Sequence, residues 1–218
     1  MPDREQMRKS VQEQLQWDSR IRSDKIEVAI SDHGVVLSGV VPSYWEKVAA
    51  ETDAWSVPGV ASVTNSLLVS DLPPGSDRSI QENATSALKL NEATENQDIS
   101  VVVSGGNVEL RGSVDEYWRK ERAVELISHI RGVSHIDDSL AVVPADQPAD
   151  EVIAADIISA IKRKGTFDLN NLEVRVSTGK VVLMGRVPDW QSYSDLHTIV
   201  KHTRGVAGLT NELVIVPE

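Results

Sequence analysis

Histidine is the side chain best suited to acid–base chemistry near neutral pH, and the sequence has five histidines scattered singly over 218 residues. No HExxH, P-loop, GxSxG or dinucleotide-binding motif accompanies them. The sequence has no cysteine, which excludes disulfides, Cys-ligated metals and thiol catalysis. Asp137 and Asp138 form one adjacent acid pair, but a catalytic dyad requires groups that converge in space. We therefore predict no catalytic residue, no metal site and no cofactor.

The aromatic side chains give the strongest indication of a binding surface. Five of the nine aromatic residues are tryptophan. Aromatic residues recur at the predicted starts of three similar helices. Three cations follow Trp118 in the run EYWRKER, where each would contribute about 1 kcal/mol at an anionic surface. The candidate binding residues are Tyr44, Trp45, Tyr117, Trp118, Arg119, Lys120, Arg122 and Trp190.

Charge and hydropathy indicate which classes of partner to expect and in which cellular compartment the protein is located. The net charge of −11 disfavours nucleic acid as a partner, because phosphate contacts need clustered Lys and Arg. The longest apolar runs are a few residues long, so no transmembrane segment is expected. The N-terminal MPDREQMRKS lacks the apolar stretch of a secretory signal. We expect a cytoplasmic protein, or a periplasmic one if the true start lies upstream.

The candidate residues stand within a unit that is repeated three times. The strings SDHGVVLSGVV, SGGNVELRGSV and STGKVVLMGRV begin at Ser31, Ser104 and Ser177, a spacing of 73. Other positions recur at the same spacing without insertion: Gly39, Gly112 and Gly185; Gly59, Gly132 and Gly205; and Asn65, Asp138 and Asn211. The repeats predict three tandem domains over residues 1–72, 73–145 and 146–218.

Each repeat predicts the same order of elements. Met7, Val11 and Leu15 give the apolar stripe of an amphipathic helix, and strands with alternating apolar residues follow. A second helix is predicted near Ser43, whose spacing to Glu46 is that of a capping box. Because this helix connects the second and third strands, those strands should be parallel. The prediction is an α/β (α+β) fold of three helix–strand–strand–helix–strand domains, each a small mixed three-stranded sheet covered by two helices.

Three of the recurring positions have structural interpretations. The glycine at position 39 and its equivalents lies mid-strand, which indicates a bulge or a close backbone approach. The glycine at position 59 and its equivalents is predicted to cap the second helix in the left-handed conformation. Asn65 and its equivalents are predicted to bond to backbone, with a ligand or cation contact as the alternative.

These patterns resemble the BON domain, a domain of bacterial osmotically inducible and nodulation proteins. In domain one the resemblance covers Ile26–Ile30, Gly34–Val41 and Gly59–Val69, and it extends over nearly the whole chain. Domain two departs from it by carrying Asp138 in place of Asn. The resemblance implies a helix–strand–strand–helix–strand fold. It also implies a non-enzymatic module linked to envelope or osmotic stress and to the binding of phospholipid surfaces or other ligands.

Two functions follow as hypotheses. In the first, the second-helix aromatic residues contact a phospholipid surface or small ligand, which requires Trp118 to be exposed. In the second, these aromatic residues are buried between domains. The three domains then form one rigid body that binds another protein or helps keep proteins folded. Glu116, Glu121 and Glu125 interleave with the cations and favour a third, structural interpretation, a solvated helix with internal ion pairs.

Overall fold

The computed structural model describes residues 4–31, 34–70, 77–165, 167 and 169–216. His33 and the predicted boundary between residues 72 and 73 lie outside this part of the chain. The boundary between residues 145 and 146 stays a prediction.

Within the described residues, the chain forms two helices and one small sheet per domain. Domain one comprises α1 (Arg4–Trp17), β1 (Ile26–Ser31), β2 (Gly34–Val41), α2 (Tyr44–Ser56), β3 (Val63–Asn65) and β4 (Leu68–Val69). Domain two comprises α3 (Asp77–Lys89), β5 (Asp98–Ser104), β6 (Asn107–Val114), α4 (Tyr117–Ser128) and β7 (His135–Val142). Domain three comprises α5 (Asp150–Lys164), β8 (Leu172–Ser177), β9 (Lys180–Val187), α6 (Trp190–Lys201) and β10 (Gly208–Ile215). The predicted fold class is confirmed.

The same sheet topology appears in all three domains. The first two strands form an antiparallel hairpin, and the last strand pairs in parallel with the second, which is central. The parallel register is identical in each domain: Val35 pairs with Val63, Val108 with Ile136, and Val181 with Leu209. The parallel pairing predicted from the helical connection is confirmed.

The two helices of each domain cover one face of its sheet because their apolar stripes match the inward side chains of the strands. In domain one, Val11 and Leu15 of α1 pack with Val35 and Leu37 of β2 in one cluster. The equivalent stripes of α3 and α5 are likewise buried in the cores of domains two and three. Each domain therefore has its own hydrophobic core. On the opposite face of each sheet, which no described helix covers, the strand side chains are exposed or half-buried.

The last strand of domain one is shorter than predicted. The expected strand from Val63 to Val69 divides into β3 and β4, with Ser66 and Leu67 between them. The register does not change across this gap, since Val40 of β2 still pairs with Leu68. The interruption is therefore local and leaves the domain architecture intact.

The predicted close backbone approach at Gly39 and its equivalents is confirmed. Gly112 has a φ of +116°, and a Cβ there would lie 2.0 Å from the carbonyl oxygen of Asp98 on the paired strand. Gly39 and Gly185 meet Lys25 and Asn171 in the same way. Glycine is needed here because a side chain would force the hairpin strands apart.

The predicted helix-capping role of Gly59, Gly132 and Gly205 is wrong. All three have positive φ, but α2, α4 and α6 end three or four residues before them. They lie instead in the turn towards the last strand. A Cβ on Gly132 would lie 2.8 Å from Cδ1 of Ile80 in α3. Gly132 and Gly205 therefore let the turn pass close to the first helix of their domains.

Substitution of Gly112 tests the backbone constraint. We expect Gly112→Ala to lower the free energy of unfolding by about 3 kcal/mol, because the new methyl group overlaps a backbone carbonyl at a positive φ. Gly105→Ala is the matched control: its φ is also positive, but no atom lies within 4 Å of the added Cβ. We expect it to cost about 1 kcal/mol. Urea unfolding measures both losses, and equal losses would contradict the interpretation.

Candidate functional site

The recurring Asn/Asp position on the last strand has a structural role. Ser66 donates its N–H to Leu37 of β2, so the N–H of Leu67 points away from the sheet. The side-chain oxygen of Asn65 accepts this N–H at 3.2 Å. The same bond joins Asp138 to Leu140 (3.1 Å) and Asn211 to Leu213 (3.2 Å). An edge-strand N–H is thereby satisfied within the chain, as the structural interpretation predicted.

In domains one and two, this position also ties the last strand to the second helix. Nδ2 of Asn65 donates to the carbonyl oxygen of Lys47 at 2.8 Å. In domain two, Nζ of Lys120 lies 3.3 Å from Oδ2 of Asp138 and donates to the carbonyl oxygen of Leu140 at 2.6 Å. Lys120 was predicted as a binding residue, but its charge serves this internal contact.

The second helix of domain one reaches domain two through its first two aromatic residues. Tyr44 packs against the core of domain two, with its ring edge-on to His135 at a centroid distance of 6.2 Å. The ring of Trp45 lies 5.5 Å from that of His129. The guanidinium of Arg20 lies 5.2 Å from the Trp45 ring centroid. We call this contact between domains one and two the first seam.

The second helix of domain two reaches domain three in the same manner. Tyr117 packs against the core of domain three, and burial raises the pKa of its hydroxyl to about 12. The ring of Trp118 stacks on that of His202 at 6.4 Å. Trp118 and His202 stand one repeat after Trp45 and His129, so the second seam repeats the geometry of the first.

The second helix of domain three returns to domain one and forms the third seam. Trp190 stacks on Trp55 of α2, with ring centroids 5.1 Å apart and planes 13° from parallel. Tyr193 stacks with Trp190 at 4.9 Å. Trp55 packs against the cores of both domains one and three. The three seams therefore close the domains into a ring in which the start of each second helix meets the next domain.

The second seam also contains a charged cluster. Oε1 of Glu121 lies 2.6 Å from Nε2 of His197, and its Oε2 lies 3.0 Å from Nζ of Lys201. Burial acts to raise the pKa of Glu121, but hydrogen bonds and charge from His197 and Lys201 outweigh it. The pKa of this carboxyl therefore lies below its ordinary value. A carboxylate on α4 is thus held by two side chains of α6.

The predicted aromatic residues are half-buried at the seams, which supports packing between domains. Trp118 also borders a surface cavity of about 510 Å³ together with Arg119, Arg122 and Leu90. Arg119 donates to the carbonyl oxygen of Ala93 at 2.6 Å, so one of these cations also holds the loop after α3. The structure therefore brings Trp118, Arg119 and Arg122 together, and places Tyr44, Tyr117 and Trp190 at separate seams.

Sequence reasoning missed several residues that shape these contacts. The residue types of Trp55 and Glu121 do not recur at the equivalent positions of the other repeats, so the 73-residue spacing does not reveal them. Asp77 and Asp150 do recur at that spacing. Asp77 accepts the N–H groups of Gly105 and Gly106 in the hairpin turn at 2.9 and 3.1 Å, and Asp150 makes the equivalent bonds. Their spacing was a signal that could have been found.

Among the described residues, no helix has the length and apolar composition needed to cross a bilayer.

Comparison with known proteins identifies the repeated unit. The family model described as "BON domain" matches residues 3–71, 76–144 and 149–217. "Osmotically-inducible protein Y" of Escherichia coli (strain K12) is 29% identical over 126 residues, which are 55% of this chain and 63% of that protein. This match thus spans less than two thirds of that relative's length. It does not support the expected cytoplasmic location, which stays a prediction.

Two solved structures also align with the chain. A structure of CdsD, described as a structural protein of the type III secretion system of Chlamydia trachomatis, aligns at 14% identity with a TM-score of 0.28. This alignment covers 96% of this chain and 92% of that one. The PrgH periplasmic domain aligns at 8% identity with a TM-score of 0.20, covering 88% and 96% of the two chains.

The charged cluster at the second seam predicts a pH effect. The folded pKa of Glu121 is lowered, so its stabilising contribution is complete above the unfolded pKa of about 4.3 and is lost as pH falls through the folded pKa. We expect Glu121→Gln to cost about 1 kcal/mol at neutral pH and to weaken the acid-induced fall in the thermal midpoint. Glu125→Gln is the matched control, since Glu125 lies on the same helix but is more than half exposed. Thermal unfolding from about pH 7 to about pH 3 measures the difference. Identical profiles for both variants would exclude the predicted role of the cluster.

Proposed function

The chain belongs to the BON domain family, and on this premise we propose that it is a non-enzymatic, stress-associated binding module. The stress association rests on the similarity to a protein described as osmotically inducible. The observation that carries the proposal is the closed ring of three seams, which supports a rigid interaction scaffold. The partner class that we propose is protein.

Rigidity follows from how each seam is made. A domain of about 70 residues has a small core and a marginal stability on its own. Half-buried aromatic rings at each seam add apolar contact that neither neighbouring domain has alone. Because the third seam joins the last domain to the first, no domain moves without breaking two seams.

The uncovered sheet faces supply the contact surface of this scaffold. Leu68 of β4 is 67% exposed and Val214 of β10 is 57% exposed, and Val102 of β5 is exposed in domain two. Polar side chains such as Arg111 and Glu212 surround them on the same faces. Exposed apolar groups within a polar surface fit a protein partner, and the ring holds the three faces at fixed positions.

The scaffold function is tested by opening the ring. We expect the wild type to suppress the heat-induced aggregation of a model enzyme, measured by light scattering. Trp190→Ala should remove the third seam, lower stability by about 2 kcal/mol and reduce suppression at least twofold. Limited proteolysis of this variant should release a domain-sized fragment.

Trp17→Ala serves as the matched control, because Trp17 is 80% exposed. It should retain both suppression and protease resistance. Two results would contradict the scaffold: a wild type without any effect on aggregation, or a Trp190→Ala variant that opens the ring and still suppresses fully.

A second candidate function, contact with a phospholipid surface, is favoured by one specific patch. Leu90 is 85% exposed at the end of the first helix of domain two. It borders the same cavity as Trp118, Arg119 and Arg122. An exposed apolar side chain beside aromatic and cationic groups matches the composition of lipid-interface anchors.

Vesicle binding distinguishes this candidate from the scaffold. We expect the wild type to cosediment with vesicles of phosphatidylglycerol and phosphatidylcholine, and Leu90→Asp to reduce the bound fraction severalfold. Leu68→Asp places the same change on an exposed leucine of domain one and should have no effect. Failure of the wild type to cosediment, or equal losses in both variants, would exclude the patch as a lipid contact.

A further inference from the structure

Two arginines from different domains border one cavity at the first seam. Arg22 precedes β1 of domain one, and Arg131 follows α4 of domain two. The cavity has a volume of about 520 Å³ and is also lined by Pro42, Ser43 and Glu46 at the start of α2. It lies apart from the Leu90 patch and is not required by either proposed function.

The side chains of Arg22 and Arg131 make no hydrogen bond or ion pair within the described residues. In a protein with a net charge of −11, acidic partners are abundant. Other arginines form ion pairs with acidic residues: Arg20 pairs with Asp18, and Arg111 pairs with Glu109. Two guanidinium groups that border one cavity and have no partner in the described part of the chain are therefore available to an anion from outside the chain.

The other two seams provide an internal comparison. Arg204 is the equivalent of Arg131 and pairs with Asp146, whereas the residue equivalent to Asp146 in domain two is Pro73. The positions equivalent to Arg22 hold Glu95 and Asp168. Those equivalent to Ser43 hold Glu116 and Asp189. At the positions of Arg22 and Ser43, the first seam thus has a cation and a hydroxyl where the other repeats have carboxylates, which would repel an anion.

The remaining polar groups of the cavity narrow the ligand chemistry. Oε2 of Glu46 accepts the backbone N–H of Arg22 at 3.1 Å, and the hydroxyl of Ser43 lies 3.5 Å from Oε1. Glu46 is buried, and its negative charge offsets one of the two positive arginine charges. The best ligand therefore presents negative oxygens to the arginines and a hydroxyl to the carboxylate. A phosphoryl group that bears or adjoins a hydroxyl satisfies both requirements.

We propose that the cavity bordered by Arg22, Ser43 and Arg131 binds a phosphoryl anion across the first seam. Since the two arginines belong to different domains, the bound anion links domain one to domain two. Binding stabilises the closed ring, because the site is complete only when the first seam is formed. The source of the phosphoryl group is a small phosphate or a lipid headgroup, and the test separates them.

The experiment measures two probes at constant ionic strength on the full chain. Inorganic phosphate is titrated by isothermal calorimetry, and phosphatidylglycerol vesicles are compared with phosphatidylcholine vesicles by cosedimentation. We expect Arg22→Gln and Arg131→Gln each to weaken binding about tenfold. Arg22→Gln keeps the backbone N–H that holds Glu46, so the fold of the loop is retained. Arg204→Gln is the matched control and should bind as the wild type does.

Each outcome decides the proposal. Phosphate binding that falls in both cavity variants supports the site and assigns it to a small phosphate. Binding of phosphatidylglycerol vesicles alone, with the same dependence on Arg22 and Arg131, supports the site and assigns it to a lipid headgroup. The proposal is overturned if the wild type binds neither probe or if both cavity variants bind as the wild type does. It is also overturned if Arg204→Gln weakens binding as much as the cavity variants do.

Discussion

The stack of Trp190 on Trp55 joins the last domain to the first, and the arrangement of the whole molecule depends on this closure. The first and second seams alone would produce an open chain of three small domains with free ends. With the third seam in place, each domain contacts both of the others. A half-buried aromatic pair of this kind contributes a few kcal/mol, which is a large share of the stability of a domain this small.

The first two seams repeat one geometry, and all three seams differ in chemistry. The first uses Tyr44 and Trp45 against histidines, and the second adds the pairing of Glu121 with His197 and Lys201. The third is a stack of tryptophans. Because the domain backbones are nearly equivalent, differences in the contact residues specify which domain ends meet. Trp55 of domain one stands at the position equivalent to Lys201 of domain three. If α4 packed against domain one instead, the Glu121 carboxylate would meet this tryptophan in place of a cation, which is unfavourable.

The closed ring also explains which surfaces of the domains stay exposed. One side of each helix packs in a core or at a seam, so the exposed surfaces include the sheet faces and the cavities at the edges of the seams. The cavity with Arg22 and Arg131 exists only because domain two lies against the start of α2. A structural contact between domains therefore creates a surface that neither domain possesses alone.

Much of the fold was predictable from the sequence, since each domain is built from local patterns. The stripe of Val11 and Leu15 and the recurring Gly39 depend on neighbours within one repeat, and the 73-residue spacing displayed them three times. The aromatic residues at the start of the second helices were also recognisable as important. The residues that they contact could not be predicted, because periodicity shows which side of a helix or strand is apolar and does not show which distant element covers that side. The contacts of Trp190 with Trp55 and of Glu121 with His197, and the shared cavity of Arg22 and Arg131, join residues far apart in sequence. Only the packing of whole domains brings them together, so tertiary structure decided the ring and its surfaces, whereas sequence determined the repeated domain.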